Sequence, residues 1–305
     1  MNLKTLIGNL VPEKIKIAFH CSRRYKKAFG HYPNLIFPTT YNEKIQKRKV
    51  FDRDPRLPLM SDKVLIKDFV SQKLGNEYVI PTLWHGTKLP PRDSRTWPKP
   101  YVIKANHGST WNIFVRSDDE CNWDDIEQRC DKWMSEVWGR GLGEWLYTQI
   151  KPQILIEPFI GEADKLPRDY KLWIFNGKAE IIEVMSDRGI AVKEAFYDRN
   201  WNRLPFSKVK QTIDPREIPP PETLAEMIAG AESLAEDIPF VRVDFYEVNG
   251  KPLFGEMTFY PSSGIDPLVP QIYDEKIGAL WKSKVTISSR LLGYLSNQHK
   301  INITT

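Results

Sequence analysis

Cysteine, histidine and long apolar runs are scarce in this 305-residue chain. The three cysteines, Cys21, Cys121 and Cys130, are odd in number and lack metal-ligand spacing, which excludes a disulfide framework and implies reduced, structural thiols in a cytoplasmic setting. The five histidines (His20, His31, His85, His107, His299) never stand four residues apart, so no helix face offers a histidine-built zinc site. No run approaches the ~18–20 apolar residues that cross a bilayer. The stretch Leu6-Ile7 to Leu10-Val11 is interrupted by Gly8 and Asn9 and followed by Pro12 and Glu13, which speaks against a secretory signal. Zinc fingers, RNA-binding aromatic motifs, heptads and repeats are also missing, so no nucleic-acid partner is expected.

What is present is ordinary globular material, 41% apolar and 12% aromatic, enough to bury roughly three quarters of the unfolded surface. The length fits one large unit or two to three packed lobes. Charge is unevenly placed. Against a net +5, residues 1–50 hold eleven Lys/Arg with only Glu13 and Glu43, an excess of nine that leaves −4 for the rest. Such an arm either attracts an anionic membrane surface, a lipid-phosphate-linked acceptor or another polyanion, or is a solvated helical face.

Proline clusters at Pro90-Pro91 to Pro98 and Pro100, and at Pro219-Pro220-Pro221, mark joints. Residues 62–74 read as a helix capped by Ser61 or Asp62, with Lys63 in its first turn and Gly75 at its end. Tyr101 to Lys104 and Trp111 to Val115 read as strands around a donor-rich, flexible tip, Asn106 to Thr110. Residues 123–138 place Trp123, Ile126, Cys130, Trp133, Met134 and Val137 on one helical face. A strand over 153–157 precedes a hairpin, 170–175 with 179–185, turning at Asn176-Gly177. A helix over 222–236 then leads into strands 241–248 and 252–259. Hairpins mixed with helices predict an α+β fold.

The last hairpin carries chemistry. If the apolar odd positions Val241, Val243, Phe245, Leu253, Met257 and Phe259 face the core, the register needs a three-residue bulged loop at Val248-Asn249-Gly250. Arg242, Asp244 and Glu256 then share the other face. Two carboxylates and an arginine suit Mg²⁺ bound together with phosphate; equally, they form an ion-pair ladder on a sheet. Trp111, Trp145 with Tyr147, and Trp201 are open between stacking on a ligand and packing in the core.

Taken in order, Ser61-Asp62-Lys63, Val102-Ile103-Lys104 before a Gly-Ser loop, Ile154 to Ile160, Arg242-Val-Asp244, Phe254-Gly-Glu256-Met-Thr258 and Pro261-Ser-Ser-Gly264 resemble the ATP-grasp superfamily. Asn42-Glu43-Lys44-Ile45, Lys104 to Ser109, Gly143-Glu-Trp145, Asp169-Tyr-Lys171 and Phe259-Tyr-Pro261 resemble its TupA-like branch, typified by a teichuronopeptide biosynthesis protein. The resemblance spans residues 40–285. It implies two α+β lobes around ATP: an N-terminal helical region and reduced leading lobe (1–90), a lid subdomain (91–157) and a nucleotide- and Mg²⁺-binding lobe (158–305).

The resemblance also implies residue roles. Lys63 and Lys104 would reach the nucleotide phosphates beneath a lid loop at Gly108-Ser109, and Glu157, Phe159 and Ile160 would meet adenine. Because Pro158 has no N–H, backbone donation there falls to Phe159 or Ile160. Asp169 would hold ribose and Lys171 a phosphate. Arg242, together with Lys104, would be catalytic, and Asp244 and Glu256 would hold Mg²⁺. Thr258 stands where the family has an asparagine metal ligand. Ser262, Ser263 and Gly264 would meet the acceptor, with amides near Ser263-Gly264 as oxyanion donors.

The activity implied is that of an ATP- and Mg²⁺-dependent carboxylate–amine ligase working through an acyl phosphate. It would join an amine or amino acid to a uronic acid or amino-acid-bearing glycan, free or lipid-linked, in the assembly of cell-surface or capsular polysaccharide. The cytoplasm is the implied location, at the inner membrane face if the basic arm touches lipid. Three alternatives follow from the same residues. Asp52-Arg53-Asp54 is the D-x-D of a metal-dependent glycosyltransferase using a nucleotide sugar, the ATP residues would equally serve a sugar or small-molecule kinase, and the basic arm alone suits a glycan-binding scaffold.

Overall fold

The computed structural model describes residues 12–161 and 165–282. Lys4, His299 and the apolar stretch before Pro12 lie outside the described residues. Helix α1 (Glu13–Phe29) buries the stripe Ile17, Cys21 and Tyr25 and ends on Gly30. Helix α2 (Tyr41–Phe51) starts with a capping box, in which Thr40 Oγ1 accepts from the Glu43 amide and the Glu43 carboxylate accepts from the Thr40 amide. Helix α3 (Arg56–Ser61) and helix α4 (Ile66–Leu74) follow. The helix expected over 62–74 is thus shorter at its start. Asp62 is extended and its Oδ1 accepts from the amides of Val64 (2.8 Å) and Leu65 (3.3 Å), so Lys63 sits in a capped turn ahead of the helix.

A four-stranded antiparallel sheet comes next, from β1 (Trp84–Gly86), β2 (Tyr101–Ala105), β3 (Asn112–Val115) and β4 (Ile154–Pro158) in the order β1-β4-β2-β3. Helix α5 (Trp123–Ser135) covers one face, and Ile126, Cys130 and Trp133 pack with Ile103, Ile113 and Ile156. β1 belongs to this sheet although it precedes residue 91. Helix α5 also stops before Val137: the chain turns extended at Glu136 and leaves Val137 exposed rather than on the apolar face.

The larger sheet contains β5 (Asp169–Phe175), β6 (Lys178–Ser186) and β7 (Lys193–Asp198). Short β8 (Ser207–Lys208) and β9 (Thr212–Ile213), helix α6 (Leu224–Leu234), β10 (Phe240–Val248), β11 (Lys251–Thr258), short β12 (Leu268–Val269) and helix α7 (Ile272–Leu280) follow within the described residues. Its order is β11-β10-β5-β6-β7-β9, while β8 pairs only with β12. The architecture is α+β, as the element order implied. Leu172, Ile174, Ile182, Val184, Val241, Val243 and Phe245 form one face, and Gly230 of α6 approaches the Phe245 ring there. On the opposite face Tyr41 of α2 stacks on Trp173 at 4.9 Å, closing one end and leaving the other for the polar groups.

The β10–β11 hairpin departs from the expected loop. Asn249 and Gly250 have φ of 53° and 68°, the backbone of a two-residue turn that opposes Val248 to Lys251. The extra residue lies instead at Gly255, where the register shifts beside Asp244 and Phe245. A Cβ at Gly255 would stand 3.1 Å from both the Asp244 carbonyl oxygen and the Tyr246 ring, closer than most side chains are tolerated. Phe254 therefore opposes Phe245, while beyond the bulge Asp244 opposes Glu256 and Arg242 opposes Thr258, a register that differs from the one the longer loop would set but keeps Arg242, Asp244 and Glu256 on one face, as expected.

Candidate active site

Strand register builds the site as a row across four strands: Glu256 on β11, Asp244 on β10, Lys171 on β5 and Glu183 on β6 are successive neighbours. Arg242, one pleat along, ties the row together. Its Nε donates to Asp244 Oδ1 at 2.7 Å, and its Nη2 donates to Asp244 Oδ2 at 2.6 Å, Glu256 Oε1 at 3.2 Å and Thr258 Oγ1 at 3.0 Å. Lys171 Nζ donates to Asp244 Oδ2 at 2.8 Å and Asp169 Oδ2 at 2.6 Å. Burial pushes the Asp244 carboxyl up against the pull of Arg242 and Lys171. At Glu256 burial acts the same way, but Lys63, Arg242 and Lys171 outweigh it and hold the pKa down to about 2.

The small sheet contributes from the other side. Lys104 Nζ donates to Glu157 Oε2 at 2.5 Å, and Lys67 of α4 pairs with Glu157 Oε1 while also donating to the Ile80 carbonyl at 2.7 Å. Burial favours the neutral form of Glu157, yet the two lysines prevail and keep it below the usual carboxylate range. Lys63 Nζ donates to the Gly108 carbonyl at 2.8 Å and lies 3.6 Å from Glu256 Oε2, linking the loop to the acidic hairpin. The root of that loop is fixed: Asn106 Nδ2 donates to Asp62 Oδ2 at 3.0 Å, and Asn106 and His107 are buried. Only Ser109 and Thr110 are exposed at the tip that the sequence suggested would be flexible throughout.

Most of these charged groups, from both sheets, line one cavity of about 310 Å³. Of the residues singled out by sequence, Lys63, Lys104, Gly108, Ser109, Glu157, Phe159, Ile160, Asp169, Lys171, Arg242, Asp244 and Glu256 all border it. The Phe159 amide donates to the Pro100 carbonyl at 3.0 Å, which leaves Ile160 as the hinge amide for a ligand. Thr258 is one step removed. Its hydroxyl accepts from Arg242 and donates to Glu256 Oε1 at 3.1 Å.

Ser262, Ser263 and Gly264 do not line this cavity. All three are left-handed (φ 46°, 56° and 57°), strain of about 1–2 kcal/mol for each serine. Buried Lys49 and Gln46 hold the turn: Lys49 Nζ donates to the Ser263 carbonyl at 2.6 Å and Gln46 Nε2 to the Gly264 carbonyl at 2.6 Å. The Ser263 amide already donates to the Tyr260 carbonyl at 2.8 Å and so is not free for an oxyanion here.

The D-x-D segment is likewise committed elsewhere: Asp52 accepts from Arg48 Nε and Asp54 from Arg56, and neither lines the cavity. Trp111 borders the cavity and stacks on Trp133. Trp145 lies beneath Arg53 and packs on the main core, while Trp201 stacks on Tyr197 at 4.4 Å. Lys67, Tyr246 and Arg188 are among the cavity residues that escaped the sequence reading. Lys67 stands four residues after Lys63, a spacing that could have revealed it, and Tyr246 continues the alternation of Arg242 and Asp244. Arg188, 3.8 Å from Asp169 Oδ2, sits in the β6–β7 loop with no local signature.

Among the described residues no three His, Cys, Asp or Glu side chains gather as a metal site. Asp244 and Glu256 are a pair, and a pair fits Mg²⁺, which keeps waters and takes one or two carboxylates together with phosphate oxygens.

Glu157→Gln is expected to destabilise the chain by about 3 kcal/mol, because two lysines, Lys67 largely buried, lose the anion they share. The folded pKa of Glu157 lies below its ordinary 4.5, so its stabilisation is complete above about pH 4.5 and is lost as pH falls through the folded value. Thermal denaturation at a series of pH values should therefore show the variant with the flatter acid limb; equal melting at neutral pH would refute the coupling.

The sequence model of the family described as TupA-like ATPgrasp matches residues 43–282. No curated protein sequence matches the chain. Among solved structures, D-alanine–D-alanine ligase from Bacillus anthracis complexed with ATP is 15% identical over 66% of this chain and 54% of that one, with a TM-score of 0.37. The ATP-grasp ligase PsnB complexed with minimal precursor is 10% identical over 67% and 53%, with a TM-score of 0.39. PurK, N5-carboxyaminoimidazole ribonucleotide synthetase, in its ADP complex is 14% identical over 66% and 45%, with a TM-score of 0.36. The chain spans about half the length of these structures. Since the family match covers most of the sequence and every cavity-lining lysine, arginine and carboxylate falls within it, the chain belongs to the TupA-like ATP-grasp family.

Proposed function

We propose that the chain is an ATP-dependent carboxylate–amine ligase that joins an amine or amino acid to a uronic acid or amino-acid-bearing glycan. The charge balance of the cavity carries this reading. Lys63, Lys67, Lys104, Lys171, Arg188 and Arg242 face Glu157, Asp169, Asp244 and Glu256, an excess of cations that suits a polyphosphate. Asp244 and Glu256 would hold Mg²⁺, and apolar Val102, Phe114 and Ile160 with the Ile160 amide would hold the base. Bound ATP supplies a phosphoryl group: a carboxylate oxygen attacks the γ-phosphorus, ADP leaves, and an amine then displaces inorganic phosphate to form the amide.

The chain's own part is positioning and charge compensation. Arg242, which already shares its fork between two carboxylates and a hydroxyl, is placed to offset charge at the transferring group. Lys104 is kept protonated because Glu157 outweighs its burial, and Lys171 likewise because Asp169 and Asp244 outweigh its burial. Lys63, on the Gly108 carbonyl, ties loop position to the metal-side glutamate. The saccharide acceptor, its place in cell-surface polysaccharide assembly and a cytoplasmic location belong to this proposal through the family's typifying member. No described helix is long and apolar enough to cross a membrane.

The test is incubation with MgATP, uronic acid-bearing acceptors and hydroxylamine, with ADP and hydroxamate measured together. Ligase chemistry requires both, dependent on the carboxylate and indifferent to Asp52→Ala. A stable phosphoester without hydroxamate would instead make the protein a kinase.

A further inference from the structure

The loop joining α1 to α2 has an unusual hydrogen-bond economy. Pro33 and Pro38 have no N–H, the Asn34 amide donates to Glu43 Oε1 (2.8 Å), and those of Thr39 and Thr40 donate to Glu43 Oε2. Asn34 Oδ1 accepts from the amides of Ile36 (3.2 Å) and Phe37 (2.9 Å), and Lys47 Nζ donates to the Ile36 carbonyl (2.8 Å). Leu35 packs inward beside Ile17, Cys21 and Val50. What points outward is apolar: Ile36 is 67% and Phe37 77% exposed.

Two cations touch this loop, Lys47 at the Ile36 carbonyl and Lys26 at Tyr32. Lys26 Nζ lies 4.4 Å over the exposed Tyr32 ring, and Arg23, Arg24 and Lys27 are exposed on α1. Between Lys14 and Lys47 the only carboxylate is Glu43, buried and occupied with loop amides. The amides of Asn34, Ile36, Phe37, Thr39 and Thr40 are thus taken up within the loop and its flanking helix. An anionic bilayer interface matches what this loop displays: apolar side chains to insert, backbone N–H groups mostly bonded within the protein, and lysines for headgroup phosphates.

We propose that the Pro33–Pro38 loop with α1 docks the protein on an anionic lipid bilayer, Ile36 and Phe37 entering the headgroup–acyl boundary. This stands independently of the ligase reading, since no cavity residue takes part.

Flotation of the full chain with vesicles tests it. Phosphatidylcholine vesicles containing phosphatidylglycerol should carry the protein and phosphatidylcholine alone should not, with binding falling as salt is raised. Lys26→Ser with Lys27→Ser should weaken partition roughly 25-fold, two cations at about fivefold each, and Ile36→Ser with Phe37→Ser by about tenfold or more, with circular dichroism unchanged. No flotation with anionic vesicles, equal flotation of variants and wild type, or equal binding to neutral vesicles would each overturn the proposal. So would a dimer in sedimentation velocity that Ile36→Ser with Phe37→Ser converts to monomer, which would assign the face to a second copy.

Discussion

Asp244→Asn is expected to lower ADP release by roughly 10²–10³-fold, the scale of losing one preorganised electrostatic partner. The substitution conserves shape and removes one charge. In the wild type each oxygen of Asp244 accepts at least one charged donor, with Arg242 on both and Lys171 on Oδ2. Asparagine offers one acceptor oxygen and turns an NH₂ toward a cation, so the row loses its central anion while Arg242 and Lys171 remain. Calorimetric titration of ATP with and without Mg²⁺ separates the two consequences. The variant should lose the part of the affinity that depends on Mg²⁺, whereas Thr258→Val, which removes only the hydroxyl between Arg242 and Glu256, should keep most of it. Unaltered Mg²⁺-dependent binding in Asp244→Asn would remove this carboxylate from the metal site.

That row was readable in the sequence because β-strand alternation is a strong constraint. Once one face of β10 is apolar, Arg242, Asp244 and Tyr246 must share the other. Less readable was where the register would be corrected. The rule that both odd sets face inward required an odd residue somewhere, and the sequence argument put it in the loop. Asn249-Gly250 satisfies its own turn geometry with two residues, and the correction falls to Gly255, where a side chain would crowd Asp244 and Tyr246. The bulge thus shapes the wall of the cavity itself.

Helix ends were lost for a different reason. Asp62 and Glu136 redirect the backbone through local hydrogen bonds, and single residues of this kind shift a boundary without disturbing the apolar period that defines the helix. Arg188 was invisible because a loop residue gains its role only from the sheet that positions it. The buried Lys49 and Gln46 that hold the carbonyls of Ser263 and Gly264 were equally invisible, because they stand more than two hundred residues earlier in the chain. Residues 43–282 are matched by the family model, yet that match assigns no side chain to the cavity; the geometry does so for lysines whose sequence neighbourhoods look alike.

Arg242→Lys is the complementary experiment, because it keeps the charge that Asp244→Asn disturbs and removes the fork. The guanidinium spans both Asp244 oxygens and also reaches Glu256 and Thr258, three partners on two strands. A lysine nitrogen is a single point and cannot meet that set at once. Arg242→Met, which strands Asp244 with Lys171 alone, should cost about 3–5 kcal/mol of stability, as expected when one member of a buried pair is deleted. Arg242→Lys should cost clearly less in denaturant titration, yet lose turnover to a similar extent, roughly 10²-fold or more. Wild-type turnover in Arg242→Lys would show that charge alone suffices and that the fork serves only the fold. A lysine variant stable but inactive would show instead that the hairpin fixes the direction of its donors, which is what the Gly255 bulge, the Thr258 hydroxyl and the opposed carboxylates jointly impose on the guanidinium.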